Sequence, residues 1–482
     1  MWAAAKNFSW LPLNPVLSCL RIFARMAFSN AKPLASASSV VTRDAQGKLI
    51  AAQEITKADA TITWHARLVN RKAAGYRFTD ATQRRNNATG NDATDSDLII
   101  DSDVVTATGT APVHLTGQFR GQAVRLGDVR LEPDGQLIVC GGFGRSESSA
   151  AVPTIQGFAD SDDWFDDVSD GPIHATLRLN GTAADVPVRS AWLLVGPPDF
   201  APEIQNLVTL YDIALQTAIQ STLLPTPSPI SFARHILPIL ARASNYQWVN
   251  RLAGGGHGGS GPHNFLAHAT ELQDLSLQST KDMAASVLNR LRDSRTQVPP
   301  PDPQEPMPNR WMPRLHDETN SSKVLAVTAF QYECLVRWRN GDFAKDFGLP
   351  APPELLPDAL DRMSLESCSG GAFFPGIECG AVMKQVTTYD LPFHVADAIA
   401  PGHLTAGNAL PWQADFLACA MDSLAWWPAQ RPDDVFPEAT PAIRREWTQG
   451  INSQPTGFFS DWNKMGVVRK IGDRFLETER TL

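Results

Sequence analysis

A change in hydrophobic periodicity after Pro202 constrains the fold of this 482-residue chain more than any other feature. Before that point, apolar and polar residues alternate in runs such as 60–69 and 124–131, which is the two-residue period of half-buried strands. After it, segments such as 207–221, 272–291 and 324–338 repeat their apolar residues at helical spacing. The pattern therefore predicts an α+β fold, with a β-rich N-terminal part followed by a helix-and-loop-rich C-terminal part.

Turn and linker residues indicate how the chain is divided. Pro133, Asp134 and Gly135 separate two strand-like runs and predict a β-hairpin. A cluster of prolines between positions 225 and 229 predicts a boundary between the two halves. The predicted segments are an atypical N-terminal segment over 1–43, a β-rich domain over 44–229 and a helix-and-loop-rich domain over 230–482.

The first 43 residues differ in composition from the rest of the chain. They contain lysine and arginine but no acidic residue before Asp44. Prolines and arginines interrupt their apolar stretch, which makes it too short and too charged to span a bilayer. Two interpretations stay open: a targeting peptide, or a poorly packed or wrongly assigned N-terminus, which we favour.

The overall composition excludes several classes of function. The 42 basic and 51 acidic residues give a formal net charge of −9, and no lysine- or arginine-rich run is present, which argues against nucleic-acid binding. The six cysteines suggest no disulfide framework, and no CxxC pair or HExxH motif predicts a zinc site. We expect a soluble protein, cytoplasmic rather than secreted, that binds neither nucleic acid nor membrane and needs no metal. A homo-oligomer stays open.

Two segments carry polar residues at unusual density. Six aspartates lie within 160–170, and such a density of carboxylates could bind calcium. Their spacing is not that of an EF-hand, so we predict a solvated acidic loop.

The glycine-rich run 253–262 surrounds His257. This histidine is either an acid–base residue near neutral pH or a histidine in a flexible surface loop, and the residues alone do not decide between them.

Thiols, indoles and carboxylates are concentrated between residues 368 and 432. Free cysteine and tryptophan are commonly buried, so plain core packing explains this composition most simply. The alternative is a cofactor made from the chain itself, in which a thiolate is joined to an oxidised indole. The candidate side chains are the thiols of Cys368 and Cys379, the carboxylates of Glu378 and Asp415, and the indoles of Trp412 and Trp427.

Several ordered motifs resemble the LodA/GoxA family of amino-acid oxidases, which carry a cysteine tryptophylquinone. Each motif alone is weak, but their common order between residues 62 and 468 is specific. The resemblance implies oxidation of an amine of an amino acid, with oxygen consumed and ammonia and hydrogen peroxide released. It also implies a separate flavoprotein that matures the quinone. The motifs are DWFDDVSDGP at 163–172, PPDFAP at 197–202, GGAFFPGIE at 370–378, PWQADF at 411–416 and WWPAQRP at 426–432.

Carried onto this chain, the resemblance implies that Trp412 is the quinone-forming indole, with Trp427 as second choice. It implies that Cys368, in preference to Cys379, supplies the thiol. A carboxylate would act as the base that removes a proton from the substrate. The candidate for that base is Asp415. Separately from the resemblance, the glycines around His257 make it a candidate residue of the substrate pocket.

The chain departs from the family pattern at two places. The family aspartate four residues before the cross-linked cysteine corresponds to Ser364 for Cys368 and to Pro375 for Cys379. The nearest carboxylates that could substitute for it are those of Glu366, Glu378 and Asp415. The N-terminal segment resembling HPAIGIARVGNS has no counterpart. A catalytically silent homologue that keeps the fold and binds a ligand or partner is therefore the runner-up. A hydrolase using His257 is a distant third, because no GxSxG motif accompanies it.

Overall fold

The computed structural model describes residues 34–35, 39–43, 49–55, 57–186, 188–259, 261–295, 312–313, 326–351, 356–370, 379–418, 428–452 and 455–482. Strands dominate the described residues up to Val195, and helices and loops dominate those after it. This confirms the predicted α+β class. None of the helices in these ranges combines the length and apolar character that a membrane span requires.

The N-terminal half is built from antiparallel strands. They are β1 (Leu34–Ala35), β2 (Ser39–Arg43), β3 (Leu49–Glu54), β4 (Ala60–Ala66), β5 (Val69–Asn70), β6 (Ile100–Asp101), β7 (Val105–Ala107), β8 (Val113–Phe119), β9 (Gln122–Leu131), β10 (Leu137–Gly141), β11 (Ser146–Ser148), β12 (Trp164–Asp166), β13 (Ser169–Leu179) and β14 (Ala191–Val195). One sheet has the order β1-β10-β9-β8, and a second has the order β6-β5-β13-β4-β7 with β14 on β13.

The four-stranded sheet contains the predicted hairpin. Strands β9 and β10 pair antiparallel from Leu131↔Leu137 to Gly127↔Gly141, with Pro133-Asp134-Gly135 in the turn between them. The hairpin prediction is therefore confirmed. Strand β1 pairs with β10 on its other side, so two residues of the segment predicted to be atypical cover that strand edge.

Strand β13 organises the larger sheet. Its first residues pair with β14, from Ser169↔Val195 onward, and its later residues pair with β4 from Ile173↔Ala66. At Gly171 the chain passes so close to a neighbouring strand end that an added Cβ would lie 2.1 Å from the carbonyl oxygen of Arg67. Strand β13 is thus a central strand of this sheet, and it directly continues the aspartate-rich segment.

The C-terminal half consists of helices joined by loops and small hairpins. The helices are α1 (Leu210–Gln220), α2 (Leu237–Asn245), α3 (Arg251–His257), α4 (Gln278–Arg290), α5 (Ala329–Asn340), α6 (Leu356–Glu366), α7 (Gly380–Met383), α8 (Trp412–Ala418) and α9 (Pro455–Asp461), with a π-helical turn at Phe232–Ile236. The strand pairs are β15 (Tyr389–Leu391) with β16 (His394–Val395), β17 (Asp434–Val435) with β18 (Arg445–Glu446), and β19 (Val467–Ile471) with β20 (Arg474–Thr478).

Capping residues explain where the predicted helices begin. Thr209 forms a capping box with Asp212 at the start of α1, and Thr328 does so with Gln331 at the start of α5. Helix α4 begins at Gln278, later than its periodicity suggests. The reason is an Asx turn, in which the backbone N–H of Ser276 donates to Asp274 Oδ1 and holds the preceding residues out of the helix.

Buried apolar side chains form three main clusters. The first lies between the two sheets of the N-terminal half and includes Trp64 and Phe119. Another joins α2, α4 and α5 around Trp338. The largest surrounds Trp412 and includes Phe416, and we call it the Trp412 cluster.

Replacing Gly171 with alanine tests the close approach at β13. The added methyl group meets the Arg67 carbonyl, so the backbone of two paired strands must move, and we expect the free energy of unfolding to fall by about 1–3 kcal/mol. Urea denaturation measures this. Gly196→Ala is the control, because an added Cβ there meets no atom within 4 Å. Equal effects of the two substitutions would contradict the packing argument.

Candidate active site

Trp412 is the first residue of α8 and is completely buried. Its indole packs edge-to-face against three aromatic rings, with centroid distances of 5.0 Å to Phe416, 6.1 Å to Phe458 and 5.7 Å to Trp462. Such contacts fix the plane of the indole. The indole Nε1 is buried and has no hydrogen-bond acceptor among the described residues. A polar atom thus lies at the centre of an otherwise apolar enclosure.

A buried ion pair holds the backbone of Trp412. The ammonium group of Lys72 contacts Asp166 Oδ2, and neither side chain is exposed to solvent. The same oxygen accepts a hydrogen bond from the backbone N–H of Trp412 at 3.2 Å, a group at a helix start that has no partner within the helix. Asn70 Nδ2 donates to Asp166 Oδ1 at 3.1 Å. The N-terminal sheet therefore positions the first turn of α8.

Burial lowers the pKa of Lys72, against the effect of Asp166, which raises it. The nearby ion pair between Arg85 and Asp160 is buried in the same way, and burial likewise lowers the pKa of Arg85. Because an isolated charge is costly in the interior, these cations are tolerated only with their carboxylates beside them.

The prediction of a solvated acidic loop over 160–170 is wrong. Asp160, Asp166, Asp167 and Asp170 are buried, and their carboxylates are satisfied by protein groups. Asp170 accepts hydrogen bonds from Trp192 Nε1 at 3.0 Å and from both the backbone N–H and the hydroxyl of Thr405, and burial raises its pKa. Among the described residues, no group of three or more His, Cys, Asp or Glu side chains could hold a metal ion.

Residues beside Trp412 add further links to the N-terminal half. Gln413 accepts a hydrogen bond from the Ser146 hydroxyl at 2.6 Å and donates to the carbonyl of Gly144 at 3.0 Å. At Gly144 the φ angle is +72°, and an added Cβ would lie 2.4 Å from the ring of Trp462. A glycine is needed there both for its backbone conformation and for the ring that packs on Trp412.

The two candidate thiols lie in the Trp412 cluster. Cys368 follows α6, its Sγ donates to the carbonyl of Ser364 at 3.3 Å, and its own carbonyl accepts from the backbone N–H of Leu210 at 2.9 Å. Cys379 immediately precedes α7, and its Sγ lies 4.0 Å from Nδ2 of Asn408, four residues before Trp412. Both thiols are thus buried with the indole in one cluster.

Of the two candidate carboxylates and the second indole, only Asp415 lies in the described part of the chain. Asp415 lies one turn after Trp412 in α8 and is buried. Glu378 and Trp427 lie outside the described residues. Of the candidate residues, the structure therefore describes Trp412, Cys368, Cys379 and Asp415, and all four are buried.

His257 does not lie in a flexible surface loop, so that interpretation is wrong. Residues 251–257 form helix α3 despite three glycines, because Asn250 caps it by accepting from the backbone N–H of Ala253. His257 is buried, and burial lowers its pKa to about 4. It lines an apolar cavity of about 80 Å³ together with His263 and Phe265, and neither Trp412 nor either thiol lines that cavity.

The residues that the sequence reasoning missed are the basic partners of the aspartates. Lys72 and Arg85 lie in short 3-10 turns, where a lone basic residue is typical of the surface. Arg431 is also buried, and its Nε donates to the carbonyl of Phe416 at 2.8 Å, which ties the segment after 427 to α8. The one signal in the sequence is that Lys72 and Arg85 occur earlier in the chain than a segment rich in aspartates, which could act as their ion-pair partners.

Stability measurements on Asp167→Asn test the burial of the acidic segment. Burial raises the pKa of Asp167 from 3.8 to about 7. The folded chain therefore keeps a proton that the unfolded chain loses, and its stability falls as pH rises from about 4 to about 7. Asparagine cannot ionise, so the variant should exceed the parent in free energy of unfolding at pH 8, by up to about 4 kcal/mol, and match it near pH 4.

Urea denaturation at several pH values measures this difference. The exposed Asp134, changed to asparagine, is the control and should give no pH-dependent gain. A difference between Asp167→Asn and the parent that is the same at all pH values would contradict the argument.

Comparisons with known proteins agree with the motif pattern. A family model described as L-Lysine epsilon oxidase N-terminal matches residues 35–195. A second, described as L-lysine epsilon oxidase C-terminal domain, matches 312–399 and 394–440. L-lysine 6-oxidase of Marinomonas mediterranea is 27% identical over 363 residues, which cover 62% of this chain and 47% of that protein. The match therefore spans about half the length of that relative.

Solved structures share the fold. The L-Lys epsilon-oxidase from Marinomonas mediterranea superposes with a TM-score of 0.72, and its Schiff base intermediate with L-Lys superposes with a TM-score of 0.73. Both are 21% identical, and each superposition covers 93% of this chain and 86% of that chain. The two family models together match more than half of the sequence, and the chain belongs to the L-lysine epsilon-oxidase (LodA) family.

Proposed function

We propose that the protein is an amino-acid oxidase whose cofactor is a cysteine tryptophylquinone made from Trp412 and Cys368. Membership of the family supports the reaction class. The observation that carries the proposal for the site is the Trp412 indole, buried with a thiol-bearing segment and with no acceptor for its Nε1 among the described residues. An indole held in this way suits a ring that gains polar substituents during maturation.

The residues of the site fit such a group. Joined to a thiolate and oxidised, the indole would supply an electrophilic carbonyl for a substrate amine and an acceptor for the electrons of the substrate. Phe416, Phe458 and Trp462 hold the ring plane and exclude water on the sides they cover. Asp166, paired with Lys72, accepts the backbone N–H of Trp412 and so holds the first turn of α8, which carries the ring.

Asp415 is the proposed general base. It is buried in α8, one turn after Trp412, and a carboxylate near a bound amine can take the proton from the adjacent carbon. In the proposed reaction an amino acid, oxygen and water are consumed, and ammonia, hydrogen peroxide and the carbonyl product of the oxidised amine are released. A flavoprotein is the proposed partner that oxidises Trp412. Glu378 is a proposed substitute for the family aspartate that this chain lacks.

The resemblance and the contacts in the structure favour different thiols. Cys368 is preferred because the family aspartate, four residues before the cross-linked cysteine, would for Cys379 fall at Pro375, within the PGIE turn. The approach of Cys379 to Asn408 supports Cys379 instead, because Asn408 belongs to the segment that leads into Trp412. Both substitutions therefore belong in the same experiment.

A silent homologue is the second candidate function. The position four residues before Cys368 holds Ser364, whose backbone carbonyl accepts the hydrogen of the Cys368 thiol. A thiol that donates to a carbonyl is not a thiolate, and the thiolate is the reactive form. On this alternative the Trp412 cluster is only a core, and the fold binds a ligand or partner without turnover.

Substitution of each thiol distinguishes these possibilities. With the flavoprotein co-expressed, the parent chain should absorb visible light and stain for quinone after denaturing electrophoresis. Cys368→Ala should lose both signals, and Cys379→Ala should keep them. Cys334→Ala is the control, because Cys334 is a buried cysteine of a different cluster. Loss only in Cys379→Ala would transfer the assignment, and a parent chain without quinone would favour the silent homologue.

The role of Asp415 is tested by Asp415→Asn. Asparagine keeps the shape of the side chain but cannot take a proton, so peroxide release should fall by about 10²–10⁴-fold if the quinone still forms. Peroxide assays with a panel of amino acids that includes L-lysine and glycine measure the rate. Quinone staining separates a loss of turnover from a failure of maturation. Turnover within a factor of about two of the parent would remove Asp415 from the site.

A further inference from the structure

The apolar cavity that His257 lines is a space between the helices of the C-terminal half, and we call it the His257 cavity. Its lining includes Leu240 of α2, Val287 of α4 and Leu335 of α5, all of which are buried. Its volume of about 80 Å³ exceeds the roughly 10–15 Å³ that a single water molecule needs. The described residues around it expose almost only apolar atoms to this space. The cavity can therefore hold a small molecule, and its walls favour an apolar one.

The polar side chains at the wall form hydrogen bonds with protein groups. His257 Nδ1 donates to the carbonyl of His263 at 3.1 Å, and His263 Nε2 lies 3.1 Å from Ser286 Oγ. Arg290, a charged lining residue, is exposed, and its Nη1 donates to the carbonyl of Ser286 at 3.3 Å. Burial lowers the pKa of His257 to about 4 and also lowers the pKa of His263, so both rings are neutral at neutral pH. The wall therefore gives water few of the roughly two to four partners that it needs in a cavity.

Small apolar molecules are the ligands that such a cavity accepts. An apolar cavity engineered into another protein, with a volume of about 150 Å³, stays dry and binds benzene or xenon. The His257 cavity is about half as large, which suits a diatomic gas better than an aromatic ring. An amino acid does not match its chemistry, because an ammonium group and a carboxylate would lose their hydration there without gaining hydrogen-bond partners. Of the reactants in the proposed oxidation, dioxygen is the one that is both small and apolar.

The position of the cavity places such a gas next to the Trp412 cluster. Leu207 lines the cavity and is itself a member of that cluster. Ala243 and Met312 also line the cavity, and both pack against the Trp412 cluster as well as against the cluster around Trp338. The His257 cavity therefore lies at the boundary between these two clusters.

We propose that the His257 cavity is a binding site for dioxygen. The choice of occupant rests on the proposed function, in which dioxygen is a co-substrate. The cavity takes up oxygen because the transfer of an apolar molecule from water into an apolar space is favourable. Held there, oxygen lies beside the cluster that contains Trp412 and is more concentrated than in solution. The walls belong to α2, α4 and α5 among other segments, so the site exists in a chain that has not formed the quinone.

Methyl NMR of the immature chain under oxygen tests the proposal. Dioxygen is paramagnetic, so it speeds the relaxation of methyl groups close to it. With nitrogen at the same pressure as the reference, the enhancement at the methyls of Leu240, Val287 and Leu335 should exceed that at Leu115 and Val124 by at least about threefold. Leu115 and Val124 are also buried, but in the N-terminal half, and they do not line the cavity. Equal enhancement in both sets would overturn the assignment.

Ala243→Leu fills the cavity, and Ala241→Leu is its matched control. Both alanines are half-buried in α2, but Ala243 lines the cavity and Ala241 does not. Because the added carbons occupy the space that oxygen needs, the enhancement at Val287 and Leu335 should fall to that of the control methyls in Ala243→Leu and stay at the parent level in Ala241→Leu. Full enhancement in a folded Ala243→Leu would place the oxygen elsewhere. If Ala243→Leu does not fold, the comparison within the parent chain decides.

The oxygen dependence of turnover tests the link to the proposed function. In matured protein, Ala243→Leu should raise the oxygen concentration for half-maximal peroxide release by at least about threefold, with the rate at saturating oxygen retained. Ala241→Leu should match the parent. A parent-like oxygen dependence in Ala243→Leu would overturn the link between the cavity and turnover. A parent chain without quinone would instead refute the oxidase proposal, because the methyl measurement needs no quinone.

Discussion

The buried ion pair between Lys72 and Asp166 is the interaction on which the surroundings of Trp412 depend. Both side chains are wholly excluded from solvent, and burying such charges costs several kcal/mol for each ion. The pair is tolerated because Asn70 and the backbone N–H of Trp412 complete the hydrogen bonds of the carboxylate. Removing either charge would leave the other unpaired, at a cost of about 3–5 kcal/mol. The N-terminal sheet and α8 are thus joined through one carboxylate.

What could be predicted from the sequence was largely local. The two-residue period, the Pro133-Asp134-Gly135 turn and the helical spacing of 207–221 each depend on neighbours along the chain, and the structure confirms them. The burial of the acidic segment was not predictable in this way. Asp166 is paired with a lysine 94 positions away, and Asp170 with a threonine 235 positions away. A count of aspartates cannot reveal such partners, and it therefore suggested solvent.

In the candidate site, too, local motifs could be predicted from the sequence, whereas contacts between distant residues could not. Ordered motifs singled out Trp412, Asp415 and the two thiols, and the structure places all four side chains in the interior, the indole and thiols in one cluster. Sequence reasoning missed Lys72, because a lysine is ordinarily a surface residue and only its partner shows otherwise. His257 was ambiguous for a similar reason: its burial depends on how α3 packs, which its glycine-rich neighbours do not indicate.

The central claim is that Trp412 becomes part of a quinone joined to a thiol of the same chain. Peptide mapping by mass spectrometry, after digestion of protein made with its flavoprotein, tests this most directly. We predict one cross-linked species that contains both Cys368 and Trp412, with added oxygen on the indole and hydrogen lost at the link. Recovery of the two peptides separately, each at its unmodified mass, would contradict the account.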